Sequence, residues 1–311
     1  GRLGRGARQP HPRMTTADSP IPTSARRRLA TALYRRPRLQ LGLLLTPPLG
    51  ALVIAYLGSL ALLLVNAFWR FNAFSGDVVA QPTLDNFAQI VTTPVFRDVA
   101  IRTILTAAAV TLTDAIIAFP IAYTMARVAS PRMRRILLVA VVLPLWSGYL
   151  VKVYAWRLML LNGGFLDSVL APIGLHGPGL SDVSAWLVFS YLWLPYMILP
   201  IYAGLERIPG SLLEASEDLG ARAAMTFRRV ILPLTLPAVV AGSIFTFSLT
   251  LGDYVTPRLV AGGTQFIGNI VYENIGVVGN VPLAAAYATV PIVVMLIYLV
   301  LARRTGAFES L

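Results

Sequence analysis

The sequence predicts an all-α polytopic membrane protein with six transmembrane helices, and three observations carry that expectation. Of 311 residues, 56% are hydrophobic and only 13% are charged. That is about half the charged share of a soluble domain, too little to solvate an ordinary surface. Six apolar stretches reach the roughly 20 residues needed to cross hydrocarbon. The net charge of +12 is also concentrated: residues 1–40 hold ten arginines against Asp18, while the remainder nearly balances. A basic tail on a near-neutral apolar body is an orientation signal before it is a nucleic-acid surface.

The first stretch, Leu41–Phe68, is longer than a signal-peptide core and lacks a small-residue cleavage pattern, so it reads as a retained helix. Ala100–Met125, Ile136–Trp156, Ser184–Leu205, Leu234–Val255 and Pro282–Ala302 follow. Pro144, Pro195, Pro200 and Pro291 are expected to kink their helices. Twenty of the 26 bases fall in the tail, the loops after spans two and four, and the C-terminal end; six lie on the other side. The positive-inside bias therefore places both termini in the cytoplasm. Residues 1–40 read as a disordered cytoplasmic tail rich in Arg, Pro, Ser and Thr, with Met14 a candidate start. Residues 41–305 read as the membrane domain and 306–311 as a cytoplasmic end.

Soluble-enzyme chemistries find no support. There is no cysteine, hence no disulfide, thiolate zinc site or cysteine nucleophile. His11 lies in the tail and His176 in a polar loop, which argues against a histidine metal or base centre. The sole lysine, Lys152, follows Val151, so no G-K-[ST] phosphate loop exists. Neither G-x-S-x-G nor H-E-x-x-H occurs. The chain is expected to be a non-enzyme, without metal or cofactor of its own.

The loop between spans four and five, 206–237, is the most informative segment. Ser211 and Glu214 form a capping-box pattern after the Pro209-Gly210 turn, predicting a short helix from Ser211. Leu212, Ala215, Leu219 and Ala223 recur at helical spacing as an apolar stripe, with Glu217, Asp218 and Arg222 off it. Gly220 permits a bend, and Pro233 and Pro237 mark entry to span five. The stripe needs a partner: either the chain's own membrane domain or another protein.

The same residues resemble a family. EAA-x3-G-x9-I-x-L-P marks the permeases of binding-protein-dependent ABC importers, and this chain reads Glu214-Ala215-Ser216, Gly220 and Val230-Ile231-Leu232-Pro233. Ser216 for Ala and Val230 for Ile are the two departures. PTLDNFAQI, PLWSGYLVKVYAW, LGDYVTPRLVAGG and IGNIVYENIGVVGNVPLAAA are similar to the spermidine/putrescine-type branch. The resemblance implies a type I importer permease bundle in a bacterial inner membrane, with loop 206–233 as a coupling helix seated in an ATPase subunit. Glu214, Ala215, Ser216, Gly220, Leu232 and Pro233 would carry that contact. It also implies a second permease in a heterodimer, an ATPase dimer that uses ATP, and an extracytoplasmic solute-binding protein.

Polar groups inside the membrane are costly and so mark candidate pathways. Ser243, Thr246, Thr250, Asp253 and Tyr254 form a stripe on span five; Thr103, Thr106, Thr113 and Asp114 do so on span two. Helix–helix hydrogen bonding is the competing use of such hydroxyls. For Asp253 the alternatives are pairing with Arg258 or capping a turn, and for Asp114 pairing with a basic group on a neighbouring helix. Asp253 at the outer mouth and Asp114 deeper would favour a cationic amine. Trp146 and Tyr149, beside Pro144, are candidates for cation–π contact, within an aromatic set that includes Tyr154, Tyr191, Trp193 and Tyr196. The expected function is the permease subunit of an ATP-driven importer of a polyamine-like cation. Alternatives are an ion-coupled secondary transporter, or a permease for a phosphonate or amino-acid derivative.

Overall fold

The computed structural model describes residues 37–303; segments 1–36 and 304–311, with the expectations attached to them, lie outside the described residues. The chain divides into two units, one up to Leu60 and one from Ala61. The first holds α1 (Pro37–Ala51), a wide π-helical stretch Leu52–Leu57 and the start of α2 (Gly58–Asn66). α1 begins at Pro37, so the tail expected to reach residue 40 gives way to helix earlier. Thr46 Oγ1 donates to Gly42 O (2.6 Å) and Ser59 Oγ to Ala55 O (2.7 Å), which returns both hydroxyls to the helix backbone. Leu44, Leu52 and Ile54 are exposed, as side chains bathed in lipid would be.

The second unit opens, after α2, with a two-residue antiparallel hairpin, β1 (Arg70–Phe71) and β2 (Val78–Val79), in which Arg70 pairs with Val79. α3 (Asp85–Thr92) is held there by Asn86, whose Nδ2 donates to Ala67 O and Trp69 O at 2.8 Å. Then come α4 (Pro94–Tyr123), extended by a π-helical turn Thr124–Val128, α5 (Pro131–Trp146), α6 (Tyr149–Leu160) and α7 (Phe165–Leu170). α8 (Asp182–Glu206), α9 (Gly210–Asp218), α10 (Ala223–Thr226) and α11 (Leu232–Gly252) follow. α12 (Val255–Val260), α13 (Ile267–Glu273) and α14 (Val281–Arg303) complete the fold. Among the described residues, five stretches are long and apolar enough to span a membrane, or six if α5 and α6 count as one.

The third expected span, Ile136–Trp156, is the one that differs: α5 and α6 meet at 92°. Ser147 and Gly148 take extended backbone (ψ 143° and 133°) and stop the helix three residues after Pro144. The Pro144 carbonyl left at the break accepts from Ser147 N (3.3 Å), Ser147 Oγ (2.9 Å) and Lys152 Nζ (3.2 Å). Hydropathy reads an unbroken apolar run here because Trp, Tyr and Leu flank the break on both sides.

α8 is the spine, packed against α4 on one side and α11 on the other. Glycine makes the second contact possible: a Cβ on Gly242 would fall 2.9 Å from Met197 Sδ, and one on Gly204 would meet Ala238 Cβ at 2.5 Å. Small residues let backbones approach closely where lipid gives no hydrophobic drive to helix pairing. Polar pins supplement packing. Trp186 Nε1 donates to Thr113 Oγ1 (3.2 Å), Ser243 Oγ meets Tyr298 OH (2.6 Å), and Tyr287 OH donates to Phe96 O (2.6 Å).

Between α6 and α8 the chain is shaped by one carboxylate. Asp167 accepts from the backbone N–H groups of Gly163 (2.7 Å) and Gly177 (2.6 Å). Those bonds, Gly163 first, hold its pKa below the ordinary 3.8. A depressed folded-state pKa supplies stability that is complete above the unfolded value and lost as pH falls through the folded one. Amide protection across 163–177, corrected for intrinsic exchange, is therefore expected to stay flat from about pH 7 to about pH 5. Asp167→Ala should lower it throughout. Hydrogen exchange followed by mass spectrometry checks both, and unchanged protection in the variant would contradict the assignment.

Candidate functional site

The candidate groups fall in two places, the loop 206–233 and the polar and aromatic side chains of the membrane helices. The loop begins in a knot of arginines. A helix leaves its last carbonyls without intrahelical partners, and Arg127 Nη2 donates to one at the end of α8, Leu205 O (2.5 Å), and to Ile208 O just beyond it (2.6 Å). Arg134 does the same for the end of α4, with Nε on Met125 O (3.1 Å) and Nη2 on Ala126 O (2.9 Å). Its remaining arm pairs with Glu206 Oε1 at 3.0 Å, which also accepts from Tyr202 OH (2.5 Å). Beneath lies an apolar cluster of Met125, Ile201, Leu205, Ile208 and Ile231, with Leu213 packed against it.

α9 hangs from this knot. It starts at Gly210, with Pro209 as N-cap and no side-chain cap bond. The expected Ser211–Glu214 capping box is therefore not formed, because Ser211 is already inside the helix. Gly220 has φ +72°, the left-handed conformation that ends a helix, and its N–H donates to Glu217 O (2.8 Å). Ser216 faces inward and its Oγ meets Thr226 Oγ1 at 2.9 Å, pinning α9 to α10. That contact gives the departure from alanine a use. The stripe points the other way: Leu212 is 44% and Leu219 88% exposed, and Glu214 and Ala215 are exposed beside them. Leu232 and Pro233 lie exposed at the start of α11, which continues from a π-helical stretch Phe227–Ile231.

Inside the bundle the threonines are glue. Thr246 and Thr250 have no exposed surface and donate to Gly242 O (3.2 Å) and Thr246 O (2.8 Å), while buried Ser243 joins Tyr298. Thr103 Oγ1 donates to Val99 O (2.8 Å) and accepts from Ile267 N (3.0 Å). Along the stretch of α11 that carries these hydroxyls, 243–252, the exposed positions are Phe245, Ser248 and Gly252 instead.

Asp253 lies one residue past α11 and caps α12. Its Oδ1 accepts from Val255 N (2.8 Å) and Thr256 N (3.1 Å); its Oδ2 accepts from Thr256 Oγ1 (2.7 Å) and from Tyr149 OH. Of the readings open to it, turn capping is the geometry found. Arg258 instead sits 5.0 Å over the Tyr272 ring, on which Tyr254 stacks at 4.8 Å. Asp114 has no exposed surface, and neither of its oxygens has a partner. Trp146, at the α5–α6 break, is 86% exposed.

What the sequence pattern does not show is an aromatic ladder. Tyr149 stacks on Trp193 (6.2 Å), Trp193 meets Tyr196 (6.0 Å), and Tyr196 stacks on Phe245 (6.5 Å). These rings come from α6, α8 and α11. Three are half-buried and Phe245 is exposed, so they form one continuous, partly open face. Phe245 reads as ordinary lipid-facing bulk until α6 is folded back at Gly148.

The family described as binding-protein-dependent transport system inner membrane component matches residues 118–307. The inner membrane ABC transporter permease protein YdcU of Escherichia coli strain K12 is 46% identical over 293 residues, spanning 89% of this chain and 93% of that protein. The spermidine/putrescine transport system permease protein PotB of Haemophilus influenzae is 30% identical over 209 residues, 66% of this chain and 72% of that protein. A solved bacterial ABC transporter involved in import of the acidic polysaccharide alginate superposes with a TM-score of 0.63, over 89% of this chain and 99% of that chain. Its 18% identity makes that a likeness of fold.

Asp253 accepts four hydrogen bonds in this geometry. Asp253→Asn is expected to lower stability by about 1–3 kcal/mol, the scale for charged hydrogen bonds. Thermal melting of the detergent-purified protein reads this. The KM for transported solute should stay at its wild-type value; a raised KM with unchanged melting would return Asp253 to the path.

Proposed function

The chain belongs to the binding-protein-dependent transport system inner membrane component family, and from that premise we propose a specific division of labour within it. The chain is the permease subunit of an ABC importer. Loop 206–233 is its docking element for a cytoplasmic ATPase dimer, with Glu214, Ala215, Gly220, Leu232 and Pro233 at or beside the contact and Ser216 bracing it from behind. The exposed apolar and acidic face of α9 carries this reading. That face cannot enter lipid with Glu214, Glu217 and Asp218 on it, and its stem is locked to three spans.

Orientation follows from charge. Arg132, Arg135, Arg222, Arg228 and Arg229 share the loop side with Arg127 and Arg134, and basic residues favour the cytoplasm. Both termini then lie in the cytoplasm, with 41–305 as the membrane domain. A second permease completes the path, and an extracytoplasmic binding protein delivers the solute to the end carrying α7 and α12.

For the solute we propose a polyamine-like cation. PotB, by its name a spermidine/putrescine permease, supports this. So does the aromatic ladder of Tyr149, Trp193, Tyr196 and Phe245, since ring faces attract ammonium groups by about 0.5–2 kcal/mol each. Alternating access moves that face between the two sides as ATP closes the ATPase dimer.

Two measurements test this. Glu214→Lys is expected to abolish co-purification with the ATPase while the permease retains its wild-type melting temperature; unchanged co-purification would refute the docking assignment. In proteoliposomes the full complex should take up polyamines only with ATP, and the chain alone should be inert. Gradient-driven uptake by the lone chain, or uptake confined to phosphonates or amino acids, would contradict the respective part.

A further inference from the structure

Between α4 and α8 the fold buries a group of polar atoms it does not satisfy. Both carboxylate oxygens of Asp114, Ser190 Oγ and Trp193 Nε1 are inaccessible and lack a hydrogen-bond partner. The register that brings Asp114 beside Ser190 is fixed one turn away, where Trp186 Nε1 donates to Thr113 Oγ1 at 3.2 Å. Ser190 lies beside the Asp114 carboxyl but outside bonding geometry. Trp193 follows on the same face of α8, three residues along.

Depth makes this costly. Asp114 is about 30 Å along the helix from Pro94 and about 21 Å from Val128 at 1.5 Å per residue, well inside hydrocarbon. Among the described residues it has no ion-pair partner. A buried carboxylate without a partner costs several kcal/mol, and intramembrane acids are by default functional. Nothing in local packing requires one here. The neighbours on the same face of α4 are Ala107, Val110 and Ala118, all fully buried apolar residues.

Trp193 links this pocket to the aromatic ladder. Its ring stacks on Tyr149 within the half-open face, while its Nε1 is buried and unspent. It shares with Ser190 the face of α8 turned toward α4, and its ring belongs to the ladder.

We propose that Asp114, with Ser190 and Trp193, forms an ammonium-binding stop behind the aromatic face, occupied by one amine end of the cargo as α4 and α8 shift during transport. The inference rests on the cationic-cargo reading above. The ammonium N–H groups would donate to Asp114 and to Ser190 Oγ. Trp193 Nε1–H would donate to the second carboxylate oxygen, and its ring would face the charge.

The test uses the complete complex in proteoliposomes, with spermidine and putrescine as probes. Asp114→Asn keeps shape and removes charge. It is expected to raise the KM for amine uptake about tenfold or more, the scale of a lost charge-assisted bond. Melting temperature and ATPase co-purification should not fall, and Asp114→Glu should recover part of the loss. Ser190→Ala and Trp193→Phe, the latter keeping the ring without its N–H, are each expected to raise KM several-fold. Should Asp114→Asn fail to assemble, these two decide. Wild-type amine KM in Asp114→Asn, even with raised melting temperature, would reduce the acid to a structural one and overturn the site. If the wild-type complex imports another solute and no amine, the cationic-cargo reading itself falls and the site with it. If it imports amines and the variants do so equally, only the site falls.

Discussion

Arg127 and Arg134 point their guanidinium groups into helix ends rather than into water. Between them they donate to the carbonyls of Met125, Ala126, Leu205 and Ile208 and to the carboxylate of Glu206. Those carbonyls terminate α4 and α8, so the end of one span, the start of α5 and the end of another are tied at a single point. α9 springs from that point two residues after Ile208. A force applied to α9 is therefore delivered to α4, α5 and α8 together instead of bending a loose loop. The remainder of the loop is arranged to keep that linkage stiff. Ser216 bonds Thr226 across the Gly220 turn, and Ile231 returns the chain to the same apolar cluster that holds Leu205.

The membrane helices show the complementary economy. A hydroxyl buried between membrane helices must be satisfied from within, and Thr103, Thr246 and Thr250 do this by donating back to their own helix. Thr246 does so at Gly242, where α11 packs closely on Met197 of α8. The partly open face is instead lined by the rings of Tyr149, Trp193, Tyr196 and Phe245.

Much of this was legible from residue order, and the misses have physical causes. Five spans and the helix–bend–helix of 206–233 follow from apolar run length, Pro209, Gly220 and Pro233, because these signals are local. The break at Ser147–Gly148 was hidden by aromatic residues that keep hydropathy high on both sides. The polar stripe on α11 is legible as one helix face, but periodicity cannot say whether a face meets water or another helix. Asp253 counted as a membrane acid, whereas it sits just past Gly252 with four donors gathered from α6 and α12. The roles of Arg127 and Arg134 were invisible for the same reason: both were counted only as charges on a side, and their acceptors lie up to 81 residues away.

The most direct measurement uses the absence of cysteine from the chain. A single Leu219→Cys substitution on the exposed face of α9 can be labelled with a water-soluble maleimide in the free permease and in the assembled complex. The account requires rapid labelling of the free chain, strong protection once the ATPase dimer is bound, and a change in that protection on adding nucleotide. Equal labelling rates in both states would mean that α9 does not face the ATPase, and the coupling role assigned to this loop would have to be abandoned.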